Sequence, residues 1–306
     1  MSHSFLKESK LFIVYGSPSV KHRIYTSSAL NFSQTFAQDS YPVKTLHDQT
    51  KMFEGATITS ANAVDFSFTV PLTKETDESP IIDLLSGLNN EQLTSFDMYV
   101  QTGSATFKID NAIITSGDFS ISPNSQFAVG VQGQGTKLEK VGDESYNITA
   151  GSVQPESSTR TPLLVYPVIS IDSLNMNSII SVNVNIQNNI TWTEYETLQK
   201  SLNVTNASNI MRPSDYVVEK RIVSGTINQY QTDNNITQFD NFSTNSNITI
   251  KAVEVGKNAS ATPFFQIQLN PASYTVRMQV AAVYQQSYDF SSLDNTALGT
   301  RITQYS

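Results

Sequence analysis

The chain contains no cysteine, so no disulfide can staple it and no thiolate can act as nucleophile or metal ligand. Its three histidines, His3, His22 and His47, never stand at ligand spacing such as H-x-x-x-H. No stretch approaches the roughly 20 apolar residues of a membrane-spanning helix, so membrane insertion is not expected. The opening MSHSFLKESK lacks the apolar centre of a signal peptide. Charged residues are scarce at 15%, and their balance is acidic, with a formal net charge of −8. That argues against wrapping nucleic acid, which takes clustered Lys and Arg to replace phosphate counterions. The single tryptophan, Trp192, cannot build a sugar-stacking platform of several indoles.

Catalytic signatures are missing as well. There is no G-x-S-x-G and no glycine-rich phosphate loop ending in Gly-Lys-Ser/Thr. GVQGQG (130–135) follows a strand pattern but opens no helix, so it reads as a strand end or hairpin turn. The expectation is a protein without catalytic residues, cofactor or metal. Nine Asn-x-Ser/Thr triplets occur; without a signal peptide or cysteine they read as a by-product of Asn-rich composition.

What fills the chain is Asn, Ser, Thr and Gln, with hydrophobics at 39% of 306 residues. That balance suits β-structure better than long charged helices. The length is about twice a domain of roughly 100 to 150 residues, which makes two domains the prior. Apolar and polar residues alternate in FSISPNSQFAVGV (119–131) and again in FQIQLNPASYTVRMQV (265–280). A period of two is the mark of half-buried antiparallel strands.

Laid against each other, the halves match in order at a nearly constant spacing. LFIVYG (11–16) faces LLVYP (163–167), and ALNFSQTF (29–36) faces SVNVNIQN (181–188) with Asn31 opposite Asn183. ATITSANAVDFSFTV (56–70) faces YVVEKRIVSGTINQY (216–230), FDMYVQTG (96–103) faces ITIKAVEVG (248–256), and residues 121–125 face 269–273. An internal duplication is expected, residues 1–157 and 158–306, with a polar Ser/Thr/Pro-rich surface linker at 142–162. The first half carries 10 basic and 17 acidic side chains and the second 9 and 10, so the acidity belongs to the first.

The predicted fold is all-β, mainly an antiparallel sandwich or barrel with short flanking helices, in two tandem similar domains. Ser79 reads as an N-cap, Pro80 as the first helical residue and Gly87 as the stop, with Ile81, Leu84, Leu85 and Leu88 on one face. Thr193 and Glu196 form a capping-box pattern opening a second helix, EYETLQKSL. Asp77 and Glu78 complement the dipole of the first helix. Pro123 and Pro271 are expected between strands, because proline cannot donate to a ladder. NVNIQNNITW and SNITIKAVEV, long and nearly uncharged, are candidates for pairing between subunits.

Residues 29–141 set out a long strand pair, ATITSANAVDFSFTVPL, an acidic loop and short helix, TKETDESPIIDLLSGL, then SFDMYVQTG and a closing hairpin, GDFSISPNSQFAVGVQG. The second half ends in PFFQIQLNPASYTVRMQVAAVYQQSYDF. In this arrangement the chain resembles the tail tube proteins (major tail proteins) of tailed bacteriophages, as two tandem tube modules. The resemblance covers nearly the whole chain. It implies small antiparallel sandwiches or barrels flanked by a helix and stacked as rings into a hollow tube. With six modules closing a ring, a two-module chain forms a trimer with pseudo-sixfold symmetry. The implied partners are further copies of the chain, other tail proteins, and phage DNA that passes without specific binding. The implied location is the virion tail, after assembly in the host bacterial cytoplasm. Acidic side chains in the channel keep DNA from sticking, and Asp77, Glu78 and Asp97 are the candidates for that role. Residues 1–10 and 291–306 are expected to act as arms that order on stacking. The rival readings are a fibre, baseplate or capsid-decorating virion component, and a carbohydrate-binding β-sandwich.

Overall fold

The structure, a computed structural model, describes residues 9–28, 30–41, 55–86, 93–172, 174–193, 212–213, 215–235, 243–280, 283–292 and 302–304. Strands dominate, as the alternation predicts. In chain order they begin with β1 (Lys10–Tyr15), β2 (Val20–Ile24), β3 (Asn31–Ser33), β4 (Phe36–Tyr41), β5 (Gly55–Ala61) and β6 (Val64–Pro71). After helix α1 (Ser79–Ser86) come β7 (Phe96–Gln101), β8 (Thr106–Ile121), β9 (Ala128–Gly135), β10 (Lys137–Gly142) and β11 (Ser152–Val153). The rest are β12 (Val165–Ile171), β13 (Ile179–Trp192), β14 (Tyr216–Tyr230), β15 (Ser243–Glu254), β16 (Phe265–Gln279), β17 (Gln285–Ser292) and β18 (Ile302–Gln304). Sixteen strands join in one sheet, while β4 and β5 form a separate pair.

Pairing runs β1–β7–β8–β9–β6–β3 in residues 10–135. It runs β12–β15–β16–β17–β14–β13 in residues 165–292, element for element in the same chain order. Irregularities recur too. Asp97 of β7 stands opposite both Asp110 and Asn111, and Asn247 of β15 stands opposite both Asn270 and Pro271. The extra residue kinks each long strand, and in β8 it leaves Asn111 at φ 46°. Beyond the kink β8 changes neighbours, from β7 and β10 to β9 and β13. β16 likewise passes from β15 and β18 to β17.

The two sets meet where β8 pairs with β13, from Ile121↔Val182 to Ser116↔Gln187. A single core of buried side chains runs through both. At the junction Phe119 stacks on Phe265 with ring centroids 4.6 Å apart. Each fully buried Val, Ile, Leu or Phe contributes about 1.5–3 kcal/mol over its exposed state.

Helix α1 starts at Ser79, one residue earlier than the pattern with Ser79 as cap and Pro80 as first helical residue predicts, and buries Ile81, Leu84 and Leu85. Leu85 lies against Gly117 of β8, where a Cβ would come within 2.3 Å of its Cδ2. Gly87, Leu88 and the helix predicted after Thr193 lie outside the described residues.

Several expectations need correction. Pro271 sits inside β16, not between strands; the bulge leaves it without a ladder partner, so its missing N–H costs nothing there. GVQGQG is the body of β9, paired on both sides with β6 and β8. The expected strand pair ATITSANAVDFSFTV is β5 and β6, but they pair elsewhere, β5 with β4 and β6 with β3 and β9. NVNIQNNITW keeps one side unpaired only over Asn188–Trp192, which pair with β14 alone among the described residues, and SNITIKAVEV is flanked on both sides along its middle. Over Val182–Gln187 β13 is flanked by β14 and β8, and over Ile248–Ala252 β15 is flanked by β12 and β16. Of the expected arms, Lys10 belongs to β1, residues 291–292 to β17 and residues 302–304 to β18, which pairs with β16; the remainder lies outside the described residues except residue 9.

Candidate functional site

Eight strands lie side by side in the order β3–β6–β9–β8–β13–β14–β17–β16, all antiparallel. Directly opposed residues share a face, so the register alone decides what each face carries. One row reads Asn31, Ser67, Gln132, Ser116, Gln187, and its neighbour reads Ser33, Asp65, Gln134. Farther along the same face come Asp118 opposite Asn185, Asn185 opposite Ser224, Ser224 opposite Ser291, and Ser291 opposite Ser273. Thr226, Asp289 and Thr275 make the next row. None of these side chains is buried. The reverse face carries Phe66, Val131, Phe119, Val184, Ile227, Tyr288 and their neighbours, all buried.

The polar face is thus a broad surface of amides and hydroxyls with few charges. Gln134 donates to Asp65 at 2.8 Å and accepts from the Trp192 indole N–H at 2.8 Å. Asn185 donates to Asp118 and, at 3.4 Å, to the Ser116 hydroxyl. Asp289 accepts from Thr226 at 2.9 Å and pairs with Arg277 at 2.7 Å. At the paired positions of the face three acids therefore stand against two bases, Arg277 and the exposed Lys220 opposite Asn189. Beside β3, a hollow of about 600 Å³ is lined by Asn31, Asp65, Gln132 and Gln134 among others. Among the described residues no three His, Asp or Glu side chains gather as a metal site, and no helix is long and apolar enough to cross a membrane.

None of Asp77, Glu78 and Asp97, the acids expected in a channel, belongs to the eight strands. Asp77 and Glu78 precede α1 and hold the linker. Arg160 donates to Glu78 at 3.0 Å and to Asp77 at 3.3 Å, while Ser157 donates to Asp77 through its backbone N–H and hydroxyl. Thr73 closes over Glu78 with its hydroxyl at 2.7 Å, and the Glu78 side chain is only 2% exposed. The Arg160 guanidinium also lies on the Tyr25 ring, 3.1 Å from its centroid. Asp97, on β7, meets Lys108 at 2.9 Å, and Asp110 meets the same ammonium at 2.6 Å. Burial alone would lower the Lys108 pKa, but hydrogen bonds to Asp110 and Asp97 outweigh it and raise it above the ordinary lysine value. His22 packs on Tyr15, and burial lowers its pKa; His3 and His47 lie outside the described residues.

The residues the sequence reading missed are Asp65, Asp118 and Asp289. Each occupies a polar position in an alternating strand, a signal present in the letters. What the letters do not show is that their strands are consecutive neighbours.

Both ends of the eight-stranded run are open. β3 pairs only with β6, and Thr275–Gln279 of β16 pair only with β17, among the described residues. Val280, just past the end of β16, is 72% exposed.

A model of the bacteriophage baseplate tube protein family matches residues 1–300, and the chain belongs to that family. No curated protein matches it.

Proposed function

Starting from that membership, which makes the chain a structural component of the phage tail and a partner of other tail proteins, we propose that its copies close into rings that stack as a hollow tube. The polar face of the eight-stranded run lines the channel, and the apolar face is covered by the outer strands and α1. This reading takes residues 1–157 and 158–306 as two copies of one tube module, supported by the recurring pairing order and the recurring bulge. Three chains then supply six modules in a pseudo-sixfold ring. Eight strands from each of three copies give about 24 strands; at a spacing of about 4.8 Å and a tilt of about 40° the backbone diameter is roughly 50 Å. Such a bore leaves room for duplex DNA. The role is structural and not enzymatic, and the site of action is the virion tail after assembly in the bacterial cytoplasm.

The observation that carries the reading is the polar face that runs across all eight strands, interrupted by Ile222 opposite Gln187. Amides and hydroxyls can donate hydrogen bonds to a phosphate but carry no positive charge to hold it, and the small acidic excess repels it. Of the three acids first expected in the channel, Asp97 keeps the most exposed carboxyl, but Asp65, Asp118 and Asp289 are better placed for the task. The family's description favours a second form of the same reading, in which the rings stay confined to the baseplate. Copy number separates the two: a few rings per virion for a baseplate tube, many for a full-length tail tube.

Negative-stain microscopy of the concentrated, purified chain is expected to show rings or stacked-ring tubes with a stain-filled centre. A monodisperse monomer at high concentration would overturn the proposal.

A further inference from the structure

The chain contains one internal copy of a junction whose outer counterpart is left open, and we propose that the open ends of two chains pair there in a defined register, β16 of one copy against β3 of the next. The inference rests on the ring reading above and names its interface.

The register follows from strand equivalence. Gly225 faces Val184 on one side and Phe290 on the other, while Phe66 faces Phe32 and Gly133. Phe32 is therefore the counterpart of Val184, and Asn31 that of Asn183. Farther on, Asp289 faces Thr275 and Gln132 faces Ser116, so Thr275 is the counterpart of Ser116 and Gln279 that of Ser120. Inside the chain Ser120 pairs with Asn183 and Phe119 with Val184. Between chains the same junction sets Gln279 opposite Asn31, Met278 opposite Phe32 and Arg277 opposite Ser33.

Three observations support it. The polar face continues across the new seam and the apolar face does too, with Met278 against Phe32 behind. A slip of one residue would reverse both. Burial tells the same story: Ile121 is 5% exposed at the filled junction, and its counterpart Val280 is 72% exposed at the open one. Charge also fits. Arg277, with 75% of its side chain exposed, comes opposite Ser33, whose other neighbour is Asp65. The contact is head-to-tail, so copies add in one direction and close into a ring.

The absence of cysteine makes the test direct, because introduced thiols are the only ones present. Directly opposed positions in an antiparallel pair lie within disulfide reach. Purified full-length Asn31→Cys/Gln279→Cys, oxidised under assembly conditions, is expected to give covalent oligomers at least tenfold above Asn31→Cys/Thr275→Cys. Val280→Asp, at an exposed position, is expected to fold as a monomer and lose assembly. Rings without the Asn31–Gln279 cross-link, or with equal cross-linking in the offset variant, overturn the pairing while the tube stands. Failure of the unmodified chain to assemble overturns both.

Discussion

At the residue scale, aromatic rings and glycines are exchanged between paired strands. Phe66 of β6 faces Gly133 of β9, whereas Gly225 of β14 faces Phe290 of β17. The ring covers the glycine each time. A Cβ on Gly133 would lie 2.1 Å from the Phe66 Cζ and 2.4 Å from the Ile113 carbonyl oxygen. One on Gly225 would lie 2.7 Å from the Phe290 Cζ and 2.1 Å from the Asn183 carbonyl oxygen. Because backbone is among the clashing atoms, turning the ring cannot relieve the strain. Gly133→Ala is expected to cost about 1–3 kcal/mol, read as a lower urea midpoint at unchanged slope. Adding Phe66→Leu should recover part of it, since the Ile113 carbonyl stays in the way. An unchanged midpoint would mean that the strand shifts freely. The glycines of GVQGQG were visible in the sequence, but their role was not, because it depends on which strand lies opposite.

At the scale of elements, the linker turns out to be a docked segment. Ser152–Val153 add a short parallel strand to β2, and Arg160 ties the chain to the start of α1 through Asp77 and Glu78. The capping role expected for those two carboxylates gives way to this ion-paired one. Removing Arg160 strands the Glu78 carboxylate in a buried setting, with the Thr73 hydroxyl and N–H as its remaining partners. Arg160→Ala is expected to destabilise by about 3 kcal/mol, and Glu78→Gln in that background to restore most of the loss. A double-mutant cycle in urea measures the coupling; a coupling near zero would show that the linker is held by its other contacts. Helix α1 was legible to within one residue of its start, because Ser-Pro and the spacing of Ile81, Leu84 and Leu85 are local signals. The bulge that holds Pro271 inside β16 was not, since it exists only in relation to β15.

For the whole molecule, the electrostatic argument concerns the polar face. Asp65→Lys with Asp118→Lys turns three acids against two bases into one acid against four bases. Assembled rings of this variant are expected to retain duplex DNA at about 50 mM salt and release it toward about 200 mM, whereas the unmodified protein retains none at either. Co-sedimentation measures this, and equal behaviour of the two proteins would remove the face from the channel wall. The sequence placed the acidic excess in the first half, which is where net charge can be counted. It could not place it in space: Asp77 and Glu78 hold the linker, and Asp97 lies on β7.

The sequence by itself determined the strands, their alternation, the start of α1 and the absence of thiol chemistry, because each depends on neighbours a few residues away. Some expected matches fail in space: residues 121–125 end β8 and follow it, whereas 269–273 lie inside β16 at a bulge like the one at 110–111 of β8. Only the tertiary structure decided which strand lies beside which, and hence that polar positions scattered from Asn31 to Asp289 share one surface. Cross-strand register is a relation between distant segments, fixed by how the apolar face packs, and no local pattern encodes it. The same packing leaves the edges of β3 and of the end of β16 unpaired among the described residues, at the two limits of the eight-stranded run.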